Sequence, residues 1–348
     1  MPRTPLCDLL GIVHPILNVG FASPAGPELA AAVSNAGGLG VIGGSFLSAA
    51  FIHDRVLRTR ELTDRPFGAN VILSDTIKRT NPIAETVAAC LAEHIAVLVL
   101  FWGDPAPYVA AAHRAGTKVF VQVGSVAEAR AAAAAGVDAI IAQGAESGGH
   151  VRGTVALSSF LPAVVDAVAP LPVLASGGIA DGRGLAGAIA LGAQGVSMGT
   201  RFVASVECWT PRAYKERVVA ATAEDTVYSR DLFNVGWPDA PHRVLRNRTV
   251  REWEAAGQPP PGARPGEGMT IGTTRRVDGS IADVVRYGAS MPNGSFDGDI
   301  DLAALWCGES AALVHDIKPA ADIVRDVARE ADAVLAGLAA PDLSSRSG

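Results

Sequence analysis

The sequence predicts an α/β fold, a (β/α)8 TIM barrel with a smaller C-terminal lid and helical subdomain. Three observations carry this expectation. Short β-type runs alternate with alanine-rich helical runs from the start of the chain to about residue 222; that order lays parallel strands side by side with helices outside them. The β-type runs are apolar along their whole length, as strands buried on both faces must be. Eight of them can be counted, which closes a barrel, whereas a doubly wound sheet more often has fewer strands and a switch point.

The predicted strands cover residues 15–21, 39–43, 67–73, 96–102, 118–123, 138–143, 172–176 and 195–199. Amphipathic helical stretches separate them at 28–36, 82–93, 106–115, 127–135 and 183–191. Residues 38–43, Gly-Leu-Gly-Val-Ile-Gly, spell a dinucleotide-binding fingerprint. The context is inverted, however: a helical run precedes them and Leu39 to Ile42 form the strand itself. A true fingerprint follows a strand and opens a helix.

After residue 222 proline, glycine, arginine and tryptophan rise and periodicity fades, as expected of a lid beside the barrel. A helical pattern returns from Leu302 and is strong from Ala320 to Leu338. The expected organisation is a barrel at 1–222, a lid over its mouth at 223–300, a helical segment packed on the barrel at 301–340, and a flexible tail at 341–348.

The bulk numbers exclude several functions. A chain of 348 residues, 49% hydrophobic and 18% charged, has ample material for a core. A net charge of −6 with scattered arginines argues against a nucleic-acid partner. The longest strongly apolar run, 95–102, is too short to span a membrane, and the N-terminus lacks the apolar stretch of a signal peptide. Cys7, Cys90, Cys208 and Cys307 are far apart and show no metal-ligand spacing, so no metal site is expected and a cytoplasmic, reduced protein is. The sequence carries no signal for an oligomeric state.

A barrel of this kind places its site at the C-terminal ends of the strands, with phosphate held by the loops after the seventh and eighth. Here those loops read Ser176-Gly177-Gly178 and Met198-Gly199-Thr200. Their glycines offer backbone N–H groups, Thr200 offers a hydroxyl, and the helix starting near Arg183 offers its positive end. The loop after the sixth strand carries His150 behind Gly148 and Gly149. These glycines would let the backbone approach a flat ligand, and an imidazole moves protons near neutral pH. Asn70 and Gln122, at the ends of the third and fifth strands, reach the same rim with amides suited to a heterocycle edge. The other histidines, His14, His53, His94, His113, His242 and His315, read as structural or exposed. A nucleophilic cysteine of the kind an IMP-dehydrogenase-like barrel needs is missing: Cys90 falls in a helical run and Cys208 beyond the last rim loop.

Taken together, residues 30–40 (AAAVSNAGGLG), 67–71 (FGANV), 142–153 (AQGAESGGHVRG), 175–184 (ASGGIADGRG) and 191–202 (LGAQGVSMGTRF) resemble the FMN-dependent nitronate monooxygenases, also called 2-nitropropane dioxygenases. The resemblance spans the whole barrel and implies FMN in its mouth. Gly177, Gly178, Gly199 and Thr200 would hold the phosphate, with Ser176 and Met198 among the cofactor-binding residues. Asn70, Gln122, Gln143, Gly148 and Gly149 would surround the isoalloxazine and ribityl chain, with Gly20, Phe21 and Ala22 against the ring. His150 matches the family's catalytic base, which removes the α-proton of a nitroalkane; the flavin then oxidises the nitronate and passes electrons to O2, giving a carbonyl compound and nitrite. Trp102, Phe233, Trp237 and Met291 would form an apolar substrate wall. Three features depart from the family pattern: Asn18 to Ser23 (NVGFAS) after the first strand, Ser147 before Gly-Gly-His, and Gly308-Glu309 in place of Gly-Gln. The same scaffold also serves NAD(P)H:quinone reductases and FMN-dependent enoyl-acyl-carrier-protein reductases, which are the alternatives, with NAD(P)H as electron donor. A flavin- or phosphate-binding barrel without turnover is the alternative of another class.

Overall fold

The structure, a computed structural model, describes residues 3–77 and 81–339. A short helix α1 (Pro5–Leu10) leads into eight strand–helix units: β1 (Ile16–Asn18), α2 (Pro27–Asn35), β2 (Gly40–Gly43), α3 (Ala49–Leu62), β3 (Phe67–Ile72), α4 (Ile83–Ala92), β4 (Val97–Phe101), α5 (Ala106–Arg114), β5 (Lys118–Val123), α6 (Val126–Ala134) and β6 (Ala139–Gln143). A two-residue strand β7 (Gly149–His150) interrupts the series before α7 (Leu157–Val168), β8 (Val173–Ser176), α8 (Gly182–Ala190), β9 (Gly195–Met198), α9 (Thr200–Val203) and α10 (Arg212–Val219). The main sheet is parallel with the order β1-β9-β8-β6-β5-β4-β3-β2. A single bridge between Leu17 and Leu39 joins its two edges into a barrel. The predicted fold class therefore holds.

Strand parity sorts the side chains. Leu17, Val41, Val97, Val99, Phe120, Ile141 and Leu174 fill the barrel, and Leu6, Cys7 and Leu10 of α1 join that same cluster. Alternate residues, among them Ile42, Ala69, Leu98, Leu100, Val121, Ile140 and Ala175, face outward into the larger cluster that includes the helices. Backbone pairing is thinnest at the β1–β2 seam, and the buried Asn18 amide reinforces it. Asn18 Nδ2 donates to Val41 O at 2.8 Å and Asn18 Oδ1 accepts from Val41 N at 2.9 Å.

Two expectations need correction. The first strand was expected over 15–21 but ends at Asn18. The chain turns off the sheet because Gly20 is pressed against Asn70 and β2; a Cβ there would lie 2.7 Å from Asn70 Cβ and 2.8 Å from Ile42 O. The region after 222 is not without regular structure. It holds β10 (Thr226–Ser229), β11 (His242–Leu245), α11 (Arg248–Ala255), β12 (Thr270–Arg275), β13 (Ile281–Val285) and β14 (Asp297–Gly298). These strands are short and largely half-exposed, so no apolar run marks them. They form two small antiparallel sheets, β10-β11-β7 and β13-β12-β14.

The final helix α12 (Ala320–Ala339) returns to pack on the barrel. Ala320, Ile323, Val324, Val327, Ala328 and Ala331 join the outer core. The contact with α8 is close: a Cβ on Gly182 would sit 2.3 Å from Ala331 N. The expected tail at 341–348 lies outside the described residues. No described helix is long and apolar enough to cross a membrane.

Candidate active site

Parity brings Asn70 and Gln122 to the inner top of the barrel, where Gly20, Asn18 and Ser197 join them around an enclosed space of about 10 Å3. That is room for one water-sized molecule. Asn70 Nδ2 donates to Val99 O at 3.2 Å. Phe21 packs over the outer core, and Ala22 adopts a left-handed φ of +45°. Phe46 and Trp102, in the loops after β2 and β4, are left-handed as well, at +70° and +67°. Bulky residues rarely accept that conformation, and such strain clusters at functional rims.

His150 is held by three elements. Strand β7 pairs antiparallel with β11, setting His150 opposite His242 and Gly149 opposite Arg243. Gln143, at the end of β6, clasps the loop from inside: its Nε2 donates to His150 O at 2.9 Å and its Oε1 accepts from Arg152 N at 3.1 Å. Gly148 lies on the backbone at Gly308, where a Cβ would come within 2.3 Å of Gly308 N. Gly148 thus makes a close approach to this segment of the chain. Gly149, with φ +73° and nothing within 4 Å of a built Cβ, keeps open space beside it. The departure at Glu309 has a partner: Arg243 lies 3.0 Å from Glu309 Oε1.

Aromatic rings enclose the histidine. The Trp237 ring lies 3.8 Å from the His150 ring, tilted by 32°, and Trp306 lies 4.8 Å away. Trp102 stands edge-on at 6.2 Å, and the Arg152 guanidinium covers its face at 4.8 Å. Among the described residues, His150 Nε2 is buried with no hydrogen-bond partner, and so is Trp237 Nε1. Burial, with a lesser contribution from His242, pushes the His150 imidazole well below its ordinary value, so the ring is neutral at pH 7. His242 is fully buried; its Nε2 accepts the Phe233 N–H at 3.0 Å and its Nδ1 faces Ala240 O at 2.9 Å. Accepting at Nε2 puts the proton on Nδ1, and burial lowers its pKa to about 4. Phe233 forms a second layer behind Trp306 and His242, at 6.1 and 6.2 Å. Met291 packs among the lid residues.

Beside the His150 loop, in the loop after the neighbouring strand β8, Gly177 and Gly178 have φ of +110° and +68°, and a Cβ on Gly177 would lie 2.3 Å from Ser147 Oγ. Among the described residues, no protein acceptor takes the N–H groups of Gly177, Gly178, Gly199 or Thr200. Ser176 and Met198 are buried at the ends of β8 and β9. The Thr200 hydroxyl accepts the Gly308 N–H at 3.0 Å. The start of α8 does not act as expected. Gly184 N donates to the Asp181 carboxylate at 3.1 Å and Gly182 N to the Glu330 carboxylate at 3.0 Å, so acidic groups of the chain already occupy that helix end.

Sequence reasoning missed Trp306; His242, read as structural or exposed, is structural, with both ring nitrogens bonded to the backbone. Trp306 sits two residues before the Gly308-Glu309 departure, a signal for its neighbourhood. His242 lay in a segment with no periodicity to place it.

The chain matches the nitronate monooxygenase family model over residues 3–330. It is 34% identical to the nitronate monooxygenase of Neurospora crassa, covering 88% of this chain and 86% of that one. It is 36% identical over 255 residues to a (3aS,4S,5R,7aS)-5-hydroxy-7a-methyl-1-oxo-octahydro-1H-indene-4-carboxyl-CoA dehydrogenase of Rhodococcus jostii, covering 73% of this chain and 69% of that one. The structure of FabK from Thermotoga maritima superposes with a TM-score of 0.78 at 36% identity, covering 97% of this chain and 99% of that one. The chain belongs to the nitronate monooxygenase family, a family of oxidoreductases.

Proposed function

We propose that the protein is an FMN-dependent monooxygenase of the cytoplasm that oxidises alkyl nitronates and nitroalkanes with O2, with His150 as base. The observation that carries this reading is the unpartnered, buried Nε2 of a neutral His150 inside an aromatic enclosure. A neutral imidazole is the form that accepts a proton. The residues present suit FMN. Four free N–H groups at Gly177, Gly178, Gly199 and Thr200 fit a phosphate at the position usual for this fold. Gly20, Phe21, Ala22, Asn70 and Gln122 would hold the ring and ribityl chain, and Gly149 leaves room beside it. When bound, the flavin supplies the two-electron sink that hands electrons on to O2. The chain's own work is to remove the proton and exclude water. Residues 223–300 serve as the lid, with Trp102, Trp237, Phe233 and Met291 favouring an apolar alkyl group. Four buried, unpaired cysteines suit a reducing compartment.

The test separates proton removal from oxidation. His150→Asn should slow oxygen uptake with a neutral nitroalkane by ~10²–10⁴-fold and leave the preformed nitronate nearly unaffected. Equal rates for the two proteins on the nitroalkane would remove the base role.

A second reading rests on the similarity, at 36% identity, to a dehydrogenase named for a carboxyl-CoA substrate. On that reading the flavin exchanges hydride with NAD(P)H and the substrate is a thioester. Anaerobic flavin reduction by NAD(P)H is its signature.

A further inference from the structure

Trp237 reads from the sequence as part of an apolar wall, but its surroundings give its indole nitrogen no partner. The residue is 4% exposed, and Nε1 is buried without an acceptor. An indole N–H left unbonded in an apolar setting is costly, and buried tryptophans ordinarily find a partner. The ring stacks on His150 at 3.8 Å, and the other buried unpartnered atom in this enclosure is the acceptor His150 Nε2. A donor and an acceptor thus stand orphaned on two rings whose centroids lie 3.8 Å apart.

The lid fixes this arrangement. Trp237 N donates to Asn234 O at 3.0 Å, and Phe233 N, one residue earlier, is anchored on His242 Nε2 at 3.0 Å. His242 is the register partner of His150 in the β7–β11 pair. The turn carrying the indole is therefore tied to the strand that carries the base. Trp102, 5.0 Å from Trp237 and nearly edge-on, limits the ring from the other side.

We propose that Trp237 is a catalytic residue whose indole N–H donates to a nitro oxygen of the substrate while His150 takes the α-proton. This rests on the nitroalkane reading above. The step balances within the pair. The C–H bond breaks and the proton goes to His150 Nε2. The electron pair moves into the nitro group, and the negative charge arriving on its oxygens is met by the Trp237 N–H. Such a donor is strongest where charge develops in a water-excluded site. It also selects substrates: the carbon that gives up its proton must carry a planar, oxygen-bearing acceptor group, and a merely apolar ligand leaves the indole unbonded.

Two replacements at position 237 isolate the N–H. Trp237→Phe keeps an aromatic ring, and 3-benzothienylalanine keeps the bicyclic shape while substituting sulfur for the N–H. Two readouts are needed. The first is kcat for 2-nitropropane beside that for its preformed nitronate. The second is calorimetric binding of isobutyrate, a planar anion shaped like the nitronate that undergoes no turnover. Both variants should lose about 10–100-fold in kcat on 2-nitropropane and bind isobutyrate about 10-fold more weakly. Turnover of the preformed nitronate should change less than that of the nitroalkane. If the benzothienyl protein matches the wild type in both readouts, Trp237 is packing only and the proposal falls. If His150→Asn leaves 2-nitropropane turnover intact, the base reading falls separately, and the proton-transfer role assigned to Trp237 falls with it. If His150→Asn slows turnover and the Trp237 variants do not, only the donor role falls.

Discussion

His150 and His242 are adjacent across one pair of strands, yet they do different work. His150 has an open nitrogen and His242 has none, because Phe233 and Ala240 take both of its ring nitrogens. Both are held neutral by burial, and the sign of the consequence follows. The folded protein resists protonating a group that the unfolded chain protonates freely below about 6.5. Stability from His242 is therefore complete above pH 6.5 and is lost as pH falls toward about 4. Its full size is about 3 kcal/mol. Protonation also removes the acceptor for Phe233 N–H, which loosens the turn carrying Trp237. Melting temperatures measured from pH 7 to 4.5 should fall more steeply for the wild type than for His242→Gln; parallel curves would contradict this assignment. At this scale the sequence was informative where glycines framed a titratable side chain, as at Gly148-Gly149-His150, whose Nε2 is buried and unpartnered among the described residues. It gave His242 only as structural or exposed and did not single out Trp306, because both are placed by contacts between segments far apart in the chain. Gly148 is instructive, since its close approach is real but serves the backbone of Gly308.

Among the elements, the barrel strands were legible because apolar runs buried on both faces leave no alternative reading. Their polar exceptions were legible too: Asn70 and Gln122 fall on the inward parity at the top of β3 and β5. The seam between β1 and β2 was not. It depends on one bridge and on the two hydrogen bonds of Asn18, a residue that the sequence pattern places inside the predicted strand 15–21 and the structure places at its end. Asn18→Leu removes both bonds and leaves Val41 N and O unpaired in the interior, which should cost about 2–4 kcal/mol and show as a lowered denaturant midpoint without a change in slope. An unchanged midpoint would mean that the seam is held by apolar packing. The contact of α8 with α12 had no local signal, because it joins Gly182 to Glu330 across 148 residues. Gly182→Val drives a side chain into the α12 backbone and should destabilise by about 1–3 kcal/mol in the same assay.

The whole molecule is a barrel whose rim is completed by its own C-terminal third. Strand β11 extends the His150 loop into a sheet, the Cys307-Gly308 segment closes behind Gly148, and α12 braces the helix after β8. The glycines after β8 and the loop that carries His150 lie side by side at the ends of neighbouring strands, with Gly308 between Gly148 and Thr200. The most direct measurement is anaerobic. The FMN-loaded protein is mixed with propane-2-nitronate, and separately with NADH and with NADPH, while the flavin absorbance is followed. The account predicts rapid bleaching by the nitronate and recovery of the oxidised spectrum when O2 is admitted. A protein that takes up no flavin, or whose flavin is bleached by NAD(P)H and left untouched by the nitronate, would contradict it.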